Sequence, residues 1–158
     1  MDGMGALKMG VEIERKFLLR GEGWREGVTA SHALEQGYLA SGGITSVRVR
    51  IHDGTHAKLT LKAGGVGRVR AEYEYDIPLD DARELLELCG ARTLRKVRHL
   101  VPAGALTWEI DEFSGRHAGL VLAEIELDHE EQAFERPDWL GEEVTENERY
   151  YNSTLAGA

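Results

Sequence analysis

The chain has 158 residues, a mass of 17.5 kDa and a formal net charge of -9 at pH 7. That length suits one domain around one buried core, and the acidic balance argues against a general nucleic-acid binder. A single cysteine, Cys89, excludes an intrachain disulfide framework and a multi-cysteine zinc site, and no apolar run approaches the roughly 20 residues that span a bilayer.

Residues 1–9 lack the apolar stretch of a secretory signal and read as a flexible leader, which makes the cytoplasm the expected compartment. Residues 10–158 read as one domain. Glycines recur at short intervals between apolar-polar runs, as turns do in an antiparallel β protein. Strands are predicted at 11–19, 36–40, 45–52, 56–63 and 69–78. The run 62–68 shares its glycines with phosphate loops but lacks their Gly-Lys-Ser/Thr ending, so it reads as a hairpin turn. A helix follows, with Asp80 as N-cap, Ala82, Leu85, Leu86 and Cys89 at helical spacing, and Gly90 at the left-handed C-terminal position. Strands resume at 94–102, 106–113 and 120–129, and residues 143–155 read as a second, weaker helix. Eight strands are enough to close a barrel.

The strands alternate in an unusual way. Glu12, Glu14 and Lys16 share one face of the first strand, opposite Val11, Ile13, Phe17 and Leu19. Arg48 and Arg50, Lys58 and Lys62, Arg70 with Glu72, Glu74 and Asp76, Lys96 and Arg98, Glu109 and Asp111, and Glu124 and Glu126 pair off likewise opposite apolar neighbours. An amphipathic sheet with its charged face in water explains any one of these strands. It does not explain why like charges repeat. A unit pair about 4 Å apart at an effective dielectric near 20 repels by about 4 kcal/mol, and the i, i+2 spacing of about 6.6 Å only reduces this. A site gains from such doublets: carboxylate pairs hold divalent cations, and guanidinium or ammonium pairs hold phosphates. The alternative geometry is therefore a closed barrel with its charged faces inward. Oxygen donors without His or Cys partners point to Mg²⁺ or Mn²⁺, one or two ions, and so many cations point to a ligand with several consecutive phosphates.

The segment Glu12-Ile13-Glu14-Arg15-Lys16 resembles the Glu-x-Glu-x-Lys signature of the CYTH superfamily, the triphosphate tunnel metalloenzymes. The resemblance continues in order through Gln36-Gly37-Tyr38-Leu39, Arg48-Val49-Arg50, Thr60-Leu61-Lys62, Glu72-Tyr73-Glu74, Lys96-Val97-Arg98, Glu109-Ile110-Asp111, Glu124-Ile125-Glu126 and Glu143-Val144-Thr145 with Arg149-Tyr150. It implies a mainly β fold: a closed eight-stranded antiparallel tunnel with a few flanking helices. It also implies metal ligation by Glu12, Glu14, Glu72, Glu74, Asp111, Glu124 and Glu126. Lys16, Arg48, Arg50, Lys62, Lys96 and Arg98 are implied as phosphate ligands, and Glu14, Tyr38, Lys96 and Arg98 as the catalytic set. The short form of the chain is similar to bacterial inorganic triphosphatases, which release pyrophosphate and phosphate. Competing expectations are a nucleoside or thiamine triphosphatase, a class IV adenylate cyclase, a non-catalytic polyphosphate-binding module, and a lipocalin-like carrier that needs an apolar interior. The expected partner is a small polyanion, with no nucleic acid or membrane. A homodimer through an exposed apolar strip and a tunnel mouth plugged by residues 143–155 are further expectations.

Overall fold

The computed structural model describes residues 10–42, 45–64 and 69–157. The leader 1–9 and most of the turn expected within 62–68 lie outside the described residues. Nine strands form one antiparallel sheet: β1 (Gly10–Leu19), β2 (Ala30–Gly42), β3 (Thr45–His52), β4 (His56–Ala63), β5 (Val69–Ile77), β6 (Thr93–Ala103), β7 (Leu106–Phe113), β8 (Val121–Glu126) and β9 (Leu140–Glu143). Their order is β5-β4-β3-β2-β6-β7-β8-β1-β9, and a β5–β1 pairing closes the first eight into a barrel. Closure sits at Glu12↔Arg70 and Ile13↔Val69 on one edge of β1, while Glu14↔Glu126 and Lys16↔Glu124 join its other edge to β8. The expected eight-stranded closed barrel is thus present, with one strand more.

The apolar faces point outward; two flanks are covered, while Val11, Val69, Tyr73 and Tyr75 on β1 and β5 stay exposed. The helix α1 (Leu79–Cys89) packs Ala82 and Cys89 onto Val49, Ile51 and Ala57. It begins one residue before the expected N-cap Asp80: Pro78 occupies the cap, and Asp80 and Asp81 sit in the first turn, where the helix dipole favours negative charge. Gly90 ends it at φ 60°. The opposite flank is larger. Phe17, Trp108, Ile110, Ile125 and Leu140 pack with Trp24 from the short 3₁₀ turn Gly23–Gly27, and Phe134 and Trp139 close over them.

Two elements depart from the sequence reading. β2 is 13 residues long, because its polar first half pairs with β6 from Ala30↔Leu100 onward. The expected helix 143–155 is not continuous. β5 covers only the first part of one β1 edge, and β9 takes the rest through Phe17↔Glu143 and Leu19↔Leu140. The amide of Val144 then donates to the Lys16 carbonyl at 2.8 Å, and the Lys16 amide to Thr145 Oγ1 at 3.0 Å. The edge of β1 that β5 leaves free is thereby paired, so its backbone groups are satisfied. Only Asn152–Leu155 (α2) is α-helical; its Leu155 carbonyl is gripped by His117 Nε2 at 2.6 Å and Arg116 at 3.2 Å. There Leu155 and Ala156 meet Tyr38, Leu94, Phe113 and Leu122, filling one end of the barrel with hydrocarbon.

Candidate active site

Period two places Glu12, Glu14 and Lys16 of β1 on the inner face, and the barrel brings them opposite the basic strands. They line a cavity of about 290 Å³ with Tyr38, Arg48, Arg50, Lys62, Glu72, Glu74, Arg98, Glu124 and Glu126. Twelve of the fourteen residues expected at the site therefore face one space. An apolar lumen, which a lipocalin-like carrier needs, is not what this cavity presents.

The walls differ in charge. On the basic side, the Arg50 Nε donates to Gln36 Oε1 at 2.7 Å, and Gln36 Nε2 reaches the Tyr38 hydroxyl at 3.4 Å. Gln36 is fully buried and holds Arg50 in place without neutralising it. Burial, reinforced by Arg48 and Arg98, pushes the Arg50 pKa down to about 9. Such a site carries surplus positive charge, which an anion relieves. Arg48 donates to Thr60 Oγ1 at 3.1 Å and stands 4.0 Å from Glu74. A β-bulge between Tyr38 and Ala40 bends β2 at this point.

On the acidic side, Lys62 lies 2.9 Å from Glu12 and 3.7 Å from Glu72, and Lys16 lies 3.3 Å from Glu124. Burial, then repulsion by Glu124, lifts the Glu14 carboxyl to about 7. Burial, then Glu12 and Glu72, lifts Glu126 equally to about 7. Against its own burial, Glu124 is held down to about 2 by Lys16 and Arg98. Carboxylates this crowded favour either a proton or a divalent cation. Among the described residues no three metal-ligating side chains already converge on one point. Instead Lys62 holds Glu12, while Lys16 and Arg98 hold Glu124. The all-oxygen donor set fits a hard divalent ion.

Lys96 and Asp111, the other two expected residues, do not line the cavity. They lie behind it at 2% and 1% exposure, joined at 2.6 Å. Asp111 also accepts from Arg98 Nε at 2.8 Å and from a terminal Arg98 nitrogen at 2.9 Å. Despite burial, Arg98 and Lys96 hold the Asp111 carboxyl well below the usual range. Burial lowers Lys96 to about 7, because the pull of Asp111 is offset by Arg98 and Arg50. In place of Asp111, its doublet partner Glu109 faces the cavity, 3.2 Å from Arg98. Lys58, Arg70 and Thr60 also line it, on the faces their alternation gives. Thr145, Tyr151, Asn152 and Ser153 line it too, from the C-terminal segment, and no alternation marks them. That segment reaches the lysines directly: Lys16 Nζ donates to the Tyr150 carbonyl, and Lys96 Nζ to Asn152 Oδ1, each at 2.8 Å.

Comparison with known proteins agrees with this geometry. An inorganic triphosphatase of Acetivibrio thermocellus is 43% identical over 148 residues, spanning 93% of this chain and 94% of the relative. An inorganic triphosphatase of Nitrosomonas europaea is 39% identical over 150 residues, spanning 92% and 96%. The crystal structure of the inorganic triphosphatase NE1496 superposes with a TM-score of 0.68 at 34% identity, covering 93% of this chain and 95% of that one. The CYTH domain matches residues 10–157, and the chain belongs to the CYTH domain family.

Proposed function

We propose that this protein hydrolyses inorganic triphosphate to pyrophosphate and phosphate inside its barrel, with Mg²⁺ or Mn²⁺ bound. The observation that carries the reading is the division of one cavity between Arg48 and Arg50, held by Thr60 and Gln36 with Glu74 no nearer than 4.0 Å to Arg48, and a crowded carboxylate wall. The full-length similarity to two inorganic triphosphatases supports it.

Glu12, Glu14, Glu72, Glu74, Glu124 and Glu126 are the residues that would hold metal. A bound divalent ion supplies charge neutralisation and a more acidic water. Arg48, Arg50, Lys16, Lys62 and Arg98 grip phosphoryl oxygens, and neutralising the charge that spreads there in the transition state is most of what phosphoryl transfer requires. The water oxygen attacks the terminal phosphorus, the bridging P–O bond breaks, and pyrophosphate departs. Glu14, which lines the cavity among these carboxylates, takes the water's proton at its carboxylate. Tyr38 stands beside Arg50 through Gln36 and fixes the attacked phosphoryl group. Lys96 and Asp111 act from behind: Asp111 orients Arg98, and Lys96 balances its charge.

The deciding experiment is phosphate release from tripolyphosphate with Mg²⁺ or Mn²⁺, run beside ATP, thiamine triphosphate and a cyclic AMP assay. Tripolyphosphate is expected to be the best substrate. Undiminished turnover in Glu14→Gln and Arg50→Ala rejects the assignment.

A further inference from the structure

Most cations of the cavity are already committed. Lys16, Lys58, Lys62 and Arg98 each meet a carboxylate within 3.3 Å. Arg70 has no such partner among the described residues. It rises from β5 beside the seam that closes the barrel, opposite Glu12 in register, and it lines the cavity. Its guanidinium carbon lies over the Tyr151 ring, 4.9 Å from the centroid. Its Nε is buried without a hydrogen-bond partner, and so is the Tyr151 hydroxyl. Tyr151 comes from the C-terminal segment, next to the end of the barrel that Leu155 and Ala156 fill.

Buried polar atoms are rarely left unsatisfied without a functional reason. Here two of them, one on a cation, belong to neighbouring side chains that both line the cavity. The ring covers one side of the guanidinium carbon, and the N–H groups of the guanidinium remain available as a fork for an anionic oxygen. The Tyr151 hydroxyl adds a neutral donor. We propose that Arg70 and Tyr151 form a further phosphate subsite, which receives the phosphoryl group at the end of the chain that reaches the covered side of the cavity. The inference rests on the triphosphate reading of the cavity and adds to it a contact from the C-terminal segment.

The test uses Arg70→Gln, Arg70→Lys and Tyr151→Phe in the whole chain. Steady-state kinetics on tripolyphosphate with Mg²⁺ are paired with calorimetric titration of tripolyphosphate with and without Mg²⁺, and Tm is recorded for each protein. Losing a charge-assisted fork weakens binding by about tenfold, so Arg70→Gln is expected to raise KM and Kd by that factor with kcat within about twofold. Tyr151→Phe keeps the stack and loses only the hydroxyl, for an expected rise of about threefold. Arg70→Lys recovers part of the affinity. Wild-type KM and Kd in both Arg70→Gln and Tyr151→Phe overturn the subsite, as does a change confined to Tm. A wild type that binds tripolyphosphate without turning it over instead sinks the hydrolase reading, and the titrations then judge the subsite alone. A wild type that neither binds nor turns over tripolyphosphate overturns both.

Discussion

Replacing Asp111 by Asn separates two roles for a buried carboxylate. As a metal ligand, its loss chiefly raises the metal concentration needed for activity. As the counter-charge of Lys96 and Arg98, its loss chiefly destabilises the fold and misplaces Arg98. The geometry favours the second, because Asp111 is 1% exposed and accepts from Lys96 at 2.6 Å and from Arg98 at 2.8 and 2.9 Å. Breaking a buried pair by removing one partner costs about 3–5 kcal/mol. The lower end applies here, since Lys96 already sits at about 7 and sheds its proton readily once its partner is gone. At about 2–4 °C per kcal/mol for a chain of this size, a loss of about 3 kcal/mol lowers Tm by roughly 6–12 °C. Differential scanning calorimetry and a Mg²⁺ titration of tripolyphosphate turnover check it together. The expected result is that drop in Tm, a fall in kcat/KM of at least about tenfold, and an unchanged Mg²⁺ midpoint. An unchanged Tm with the Mg²⁺ midpoint raised tenfold would refute the reasoning and return Asp111 to the metal.

Gly37→Ala places a Cβ 2.8 Å from Cys89 Sγ and 2.9 Å from its Cβ, an overpacking of about 1–3 kcal/mol. Denaturant unfolding of the single and double variants is expected to show that Cys89→Ala, which removes Sγ and keeps the Cβ, relieves part of it; strictly additive effects contradict the contact. Gln36→Leu frees the Arg50 guanidinium, so KM for tripolyphosphate is expected to rise about tenfold, with a smaller change in kcat. An unaltered KM shows that Arg50 needs no tether. For pH, the Glu14 carboxyl moves from 4.5 unfolded to about 7 folded, so the native state binds its proton more tightly. Its contribution to stability is complete below about pH 4.5 and is lost as pH rises through 7. In metal-free protein the Tm of Glu14→Gln relative to wild type is expected to climb between pH 5 and 8, and Mg²⁺ to flatten the difference. A pH-independent difference counts against the shift.

The residues of the strands already state which side chains travel together. Alternation at period two is local geometry, so the grouping of Glu12 with Glu14, or Arg48 with Arg50, is legible before any fold is known. The turn after β3 is legible too: Asp53 and Gly54 take φ values of 51° and 68°, the left-handed pair a tight hairpin needs. Alternation cannot say whether a face meets water or a lumen, since that depends on β5 reaching back to β1 across the whole sheet. Nor does it separate Glu109 from Asp111. They share a face, yet Arg98 and Lys96 draw Asp111 behind the wall while Glu109 stays on the cavity. The C-terminal segment was the least legible part. Its sequence suits a weak helix, and it becomes a strand, a lysine tether and a cavity wall because the free edge of β1 and the unfilled end of the barrel exist only after closure. Local periodicity thus fixed the cast of charged residues, and pairing between distant edges decided which of them meet a ligand.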